Sequence, residues 1–556
     1  MAILDTDTGT QVGARRKTSR FSALGFGAAV MAALCLLPML AVFYAAVTTG
    51  TDTLSALSET VLPRYAFTTL ILVVLVALGT FAIGTGAAWL VTMAEFPGRR
   101  FFEIALVIPL AFPAYVMAYA YTHVLDHPGI VQSTLRDLTG WGPRDYWFPE
   151  IRSVGGAALM LTLVLYPYVY LLARTAFMGQ SASTFFAARA LGKTPWQAFF
   201  QVSLPMARPA IAAGVLLATM ETIADFGTVS YFGVQTFATG IYTSWIGMGD
   251  RGAASQLALG LLAFALILAV LERSSRGEAK YHANKVETMG RLQLTGLRRR
   301  GAVVLCALPV LFGMILPTIA LVLMGIGSEQ NLLSRRYIHF LQNSLTLASI
   351  AAVLTVCAAV ILGYFQRVFP GRRASAASYI ARLGYAVPGG VIAVGLLVPF
   401  AAFDNALDAW MRATFDVSTG LLVTGSIWLL IAAYMVRFLA AALGSYEGGQ
   451  SAINANMDAA SRVLGQDAYG TLRRVHLPIL TPALLTALLI VFVDVMKELP
   501  ATLIMRPFNY DTLAVQAYRL ASDERLEGAA VPSLVIVAMG LVPVILLCRR
   551  VGRKER

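Results

Sequence analysis

The chain has 556 residues, 58% of them hydrophobic and 13% charged, with a mean hydropathy of +0.70. A soluble globular chain carries about 45–50% apolar and about 25% charged residues, so one aqueous core is excluded and lipid is the expected solvent. The formal charge of +13 does not point to nucleic acid, because no aromatic-interleaved basic patch accompanies it.

A helix that crosses a bilayer needs about 20 apolar residues. Twelve stretches qualify, at roughly 22–48, 65–94, 101–123, 154–178, 207–227, 252–271, 301–326, 342–367, 375–401, 418–442, 479–500 and 530–548. Arg15, Arg16, Lys17 and Arg20 precede the first. That run exceeds the ~7–15 residues of a signal-peptide core, so it reads as an uncleaved anchor. With both termini cytoplasmic, about 30 of the 43 Lys and Arg fall on the cytoplasmic side and 11 outside, the expected positive-inside asymmetry. Arg437 is counted near a cytoplasmic span end, and Arg382 and Lys497 fall within spans. The predicted layout is a cytoplasmic tail at 1–21, a first half at 22–271 (core about 65–271) and a cytoplasmic linker at 272–300. A second half at 301–548 (core about 342–548) and a basic tail at 549–556 complete it.

The two halves repeat. Phe96-Pro97-Gly98-Arg99-Arg100 recurs as Phe369-Pro370-Gly371-Arg372-Arg373, an offset of 273. The same offset relates AARALGKTPWQAFFQVSLPMARPA at Ala187 to ASRVLGQDAYGTLRRVHLPILTPA at Ala460. An even number of spans per repeat gives both halves one orientation, and so a pseudo-twofold axis along the membrane normal. The repeated segments are polar loops, which composition alone does not make alike.

Each loop carries helix formers, then a glycine, then Leu-Pro before the next span. Gly192 and Gly465 can end a short helix in the left-handed conformation. Pro205 and Pro478 mark the return to the membrane. Two such helices about a twofold axis suit a twofold-symmetric partner. Gly192-Lys193-Thr194 mimics the tail of a phosphate-binding loop, but Ala187 stands where its first glycine belongs and no strand precedes it.

The loop resembles the EAA loop of ABC importer permeases: an alanine pair, a glycine, then Leu-Pro. In the first copy these are Ala187, Ala188, Arg189, Gly192, Leu204 and Pro205. In the second they are Ala460, Arg462, Gly465, Leu477 and Pro478. The motif glutamate is replaced by Phe186 and Ala459, with Asp458 adjacent to the latter. METIADFGTV from Met220 and FVDVMKELPATL from Phe492 narrow the resemblance to the fused ferric-iron permeases. It implies an all-α polytopic fold of about 12 membrane helices, as two parallel six-helix type I repeats in a bacterial inner membrane. It also implies two copies of a separate ATPase that uses ATP and Mg, an extracytoplasmic binding protein, and no enzyme activity or bound cofactor in this chain. Thiamine, phosphonate or polyamine permeases share the plan. An ion-coupled secondary transporter is the rival of a different class.

Few ionisable residues lie deep in spans: Glu221 and Asp225 in the fifth, Asp494, Lys497 and Glu498 in the eleventh. The offset maps Glu221 onto Asp494 and Asp225 onto Glu498. Intramembrane carboxylates are costly and face protein or water. Either they line a cation path as transient hard-oxygen attractors, or they cap helices and pair with groups such as Lys497. Neutralising Asp225 and Glu498 together is expected to impair uptake but not assembly. His123, His127, His282, His339 and His476 show no metal-ligand clustering, and Cys35, Cys306, Cys357 and Cys548 sit singly in apolar runs. No metal site is assigned.

Overall fold

The computed structural model describes residues 23–180, 187–276, 292–330 and 334–553. The N-terminal tail, most of the 272–300 linker and Phe186 therefore lie outside the described residues. Among the described residues, eleven helices are long and apolar enough to cross a bilayer. The pair Arg99–Ala111 and Ala114–Thr139, bent by 95°, passes the same test together and brings the number to twelve when counted as one span. The protein is an all-α polytopic membrane protein. Its β structure among the described residues is two parallel two-residue strands, Ala94–Glu95 and Leu292–Gln293.

The repeat is a repeat of structure. Helices beginning at Ala23, Leu62, Val154, Leu204 and Gly227 have counterparts beginning at Gly296, Arg335, Ile427, Leu477 and Pro500, each 273 residues on. The offset even preserves a widened π turn, Phe199–Ser203 and Leu472–His476, at the entry to the fifth and eleventh spans.

Two expectations about spans are corrected. The third and ninth, read as continuous over 101–123 and 375–401, are both broken. Phe112 is extended (φ −81°, ψ 129°) before Pro113, and Val387 (φ −83°, ψ 120°) before Pro388. Proline lacks the N–H that continues the ladder and drives its predecessor out of the α region, so each span becomes two helices, the second starting at Ala114 or Gly389. The two prolines stand 275 residues apart, not 273. The tenth span begins at Ile427 rather than near 418, which moves Arg437 from a span end to mid-helix.

One buried cluster runs through both halves, from Ala28 to Val537. The halves thus share a core, and the central site forms along their contact.

Candidate functional site: a charged cavity between the two halves

The fifth and eleventh spans stop within one residue of equivalent points, at Ala224 and Met496. Each is followed by a short helix, Gly227–Tyr231 or Pro500–Met505. A helix start inside a bilayer leaves backbone N–H groups that no water can satisfy. Asp225 and Glu498 satisfy them. Asp225 Oδ2 accepts from the Thr228 and Val229 amides, both at 3.1 Å, and Oδ1 from the Thr228 hydroxyl at 3.0 Å. Glu498 accepts from the Ala501 and Thr502 amides at 3.0 Å and from the Thr502 hydroxyl at 2.6 Å. The negative charges also face the positive ends of the helix dipoles.

The second symmetric pair has different partners. Asp494 contacts the Lys497 ammonium at 2.9 Å, and Glu221 meets Arg437 of the other half at 3.9 Å. Tyr168 and Tyr385 line the same cavity as Glu221. Glu221, Asp225, Asp494, Lys497 and Glu498 all line one cavity of about 130 Å³, together with Arg437. The halves meet closely beside it. A Cβ on Gly227 would lie 2.8 Å from Tyr115 and 2.9 Å from Leu499 of the second half. Among the described residues, no three His, Cys, Asp or Glu converge as a metal site.

At one end of the bundle stand the repeated loops. Gly192 and Gly465 have φ of +83° and +78°. In both loops the glycine N–H bonds back three residues, to Arg189 or Arg462. The next N–H bonds back five, from Lys193 to Ala188 and from Gln466 to Ser461. This is the Schellman ending, which glycine suits because it lacks a Cβ. Beside the glycines, Leu191 and Leu464 are 82% and 78% exposed. Leu204-Pro205 and Leu477-Pro478 open the following spans. Ala187, Ala460 and Arg462 are exposed on the loop helices and Ala188 is buried. Thr194 caps a short helix through Gln197.

The two loops are anchored differently. Asp458 accepts from Arg367 Nε at 2.8 Å and pairs with His476 at 2.7 Å, tying its helix to the ends of two spans. Burial raises the Asp458 carboxyl, but these hydrogen bonds outweigh it and hold the group below its ordinary range. Ala94, Phe185 and Ser203 stand at the equivalent first-half positions, so the clamp is not repeated. There, Trp89 stacks on Trp196 at 5.8 Å and packs against Phe199 at 5.0 Å. The helical stretch of the sequence around Asp458 carried no sign of Arg367 or His476 as partners, because Arg367 lies 91 residues away.

At the opposite end, Arg152 bridges the halves. Its guanidinium makes a two-point contact with Glu524 at 2.6 and 2.8 Å and reaches Asp126 at 3.1 Å. Glu524 has φ +59°, a conformation that non-glycine residues adopt at a cost. The Arg152 hydrogen bonds hold its carboxyl below the ordinary range. Arg152 also lies over Tyr231, which packs on Tyr119 at 4.8 Å, and Tyr119 on Tyr115 at 5.8 Å. Tyr115 then donates to the Lys497 carbonyl at 3.4 Å. A buried tyrosine column thus separates the cavity from this end. Its members gave no sequence signal, since Arg152 and Glu524 are 372 residues apart.

Comparison with known proteins agrees with this architecture. Residues 81–274 match the family described as binding-protein-dependent transport system inner membrane component. The Fe(3+)-transport system permease protein FbpB 2 of Haemophilus influenzae is 26% identical over 488 residues, covering 86% of this chain and 88% of its own. The probable ABC transporter permease protein y4fN of Sinorhizobium fredii is 26% identical, with 82% of each chain covered. The molybdenum transport system permease protein ModB of Escherichia coli is 27% identical over 199 residues, 35% of this chain and 84% of its own. With the domain match in the first half, its helix pattern repeated in the second and the likeness running over most of the chain, this chain is similar to the ABC transporter permeases of binding-protein-dependent systems.

Proposed function

We propose that the chain is the complete membrane channel of an ATP-driven ferric-iron importer in a bacterial inner membrane. Two separate ATPase subunits dock on the loops at Gly192 and Gly465 from the cytoplasm, the side of both termini. An extracytoplasmic binding protein delivers cargo at the end where Arg152 meets Glu524. The observation that carries the reading is the pair of loops: the same Schellman-ended helix, with the same exposed leucine, 273 residues apart. A symmetric ATPase pair requires two such docks. ATP-driven approach of the docks rocks one half against the other and opens the cavity to alternate sides.

Ferric iron is supported by the FbpB 2 likeness along most of the chain and by the acidic excess in the cavity. Asp225 and Glu498 serve the path by holding the broken helices that wall it. The test is co-purification followed by uptake of radioactive iron in proteoliposomes carrying the binding protein. Iron uptake that needs ATP and a co-purified ATPase is the expected result. Uptake driven by a proton or sodium gradient without an ATPase would establish the secondary-transporter class instead. ATP-driven uptake of another solute, with iron excluded, would overturn the cargo.

A further inference from the structure

The charges in the cavity do not follow the symmetry of the chain. All four carboxylates are duplicated by the 273 offset, but both cations belong to the second half alone. Ala224 and Val164 stand where the repeat would put counterparts of Lys497 and Arg437. The carboxylates also divide by partner. Asp225 and Glu498 are committed to backbone amides and threonine hydroxyls. Glu221 and Asp494 are held by the two cations. The arginine fits loosely: its contact to Glu221 is 3.9 Å, and its buried Nη1 has no hydrogen-bond partner among the described residues. That nitrogen is accommodated beside Gly389, where a Cβ would come within 3.0 Å of it and 2.7 Å of Glu498 Oε1. Helix capping needs neither cation, and a helix-locking role would be met better by a close, fully bonded arginine.

We infer that Lys497 and Arg437 are tethered counter-ions that compete with the cargo for Glu221 and Asp494, and so set the valence of the cation the path accepts. This rests on the cation-import reading above. A monovalent cation brings no more charge than the ammonium it must displace. A trivalent cation does, and can draw on both carboxylates at once. Once it has passed, the side chains return and fill the carboxylates from within, so the path never holds a cation as tightly as free carboxylates would. Conduction requires such weak binding. Lysine suits the task, as a compact charge on a flexible four-carbon stem.

The experiment uses the full chain in nanodiscs and Tb3+ as a trivalent probe, with luminescence sensitised by the tyrosines at the cavity. Lys497→Met should bind Tb3+ at least tenfold more tightly than the native chain, and Arg437→Met should move in the same direction. Lys497→Arg, which keeps the tethered charge, should bind like the native chain. Adding Glu221→Gln and Asp494→Asn to Lys497→Met should abolish the gain. Native-like Tb3+ affinity in both methionine variants would overturn the inference, as would a gain that survives removal of the two carboxylates. Thermal melting and size-exclusion profiles of each variant report folding, and either methionine variant can carry the test alone. If the native complex transports no iron while the variants bind Tb3+ as stated, the cargo reading falls and the counter-ion role stands. If iron is taken up and Tb3+ binding is unchanged in the variants, the counter-ion role falls and the cargo reading stands.

Discussion

The caps at the two broken spans make a graded prediction. Glu498 is only 5% exposed and accepts from two amides and a hydroxyl. Glu498→Ala removes a cap worth about 0.5–2 kcal/mol. It also leaves buried amides unsatisfied, at about 1–3 kcal/mol. A total near 3 kcal/mol raises the opening equilibrium of helix Pro500–Met505 by about a hundredfold. Glu498→Gln keeps one acceptor oxygen, so its cost should be nearer 1 kcal/mol. Asp225 is less buried and its bonds are longer, 3.0–3.1 Å, so Asp225→Ala should fall below Glu498→Ala and Asp225→Asn should be mildest. Hydrogen exchange of residues 227–231 and 500–505 reads the effect, with uptake measured on the same preparations. The reasoning is refuted if the amide variants exchange and transport as poorly as the alanine variants. Charge, and not capping, would then be what these residues supply. Uptake lost in the amide double variant with exchange unchanged would likewise assign the role to charge.

Two further outcomes test the ends of the bundle. Arg152→Cys and Glu524→Cys, joined by a bifunctional thiol-reactive cross-linker with a reducible centre, should stop uptake, and reduction should restore it; full uptake through a completely cross-linked chain would show that the halves do not part there. Arg152→Ala should barely change stability, because a partly exposed ion pair contributes only about 0.2–1 kcal/mol. The Asp458 clamp should be acid-sensitive. Its carboxyl is held below the ordinary value near about 3.9 by His476 and Arg367, so its stabilisation is present above that value and is lost as pH falls through the depressed one. Protection of residues 455–463 should therefore hold at neutral pH and drop in acid. Asp458→Asn should lower it at neutral pH and flatten the acid drop; unchanged protection at neutral pH would remove the clamp from the loop's support.

Much of the architecture was legible in the sequence because it is written locally and periodically. Span length follows from runs of apolar residues, and the 273 offset predicts the equivalent starts of most helices. The left-handed glycines at 192 and 465 follow from backbone sterics of single residues. The capping role of Asp225 and Glu498 was one of two open readings, since each lies three and four residues before the amides it accepts from. The breaks at Pro113 and Pro388 were also local, but apolar composition masked them: a hydropathy run does not register a missing N–H. Tertiary structure alone decided which charges meet. Arg437 faces Glu221 across 216 positions of chain, Arg152 faces Glu524 across 372, and His476 reaches Asp458 through the packing of a loop on its spans. An ion pair depends on distance in space, and where its partners stand on different spans or in different halves, sequence separation carries no trace of it.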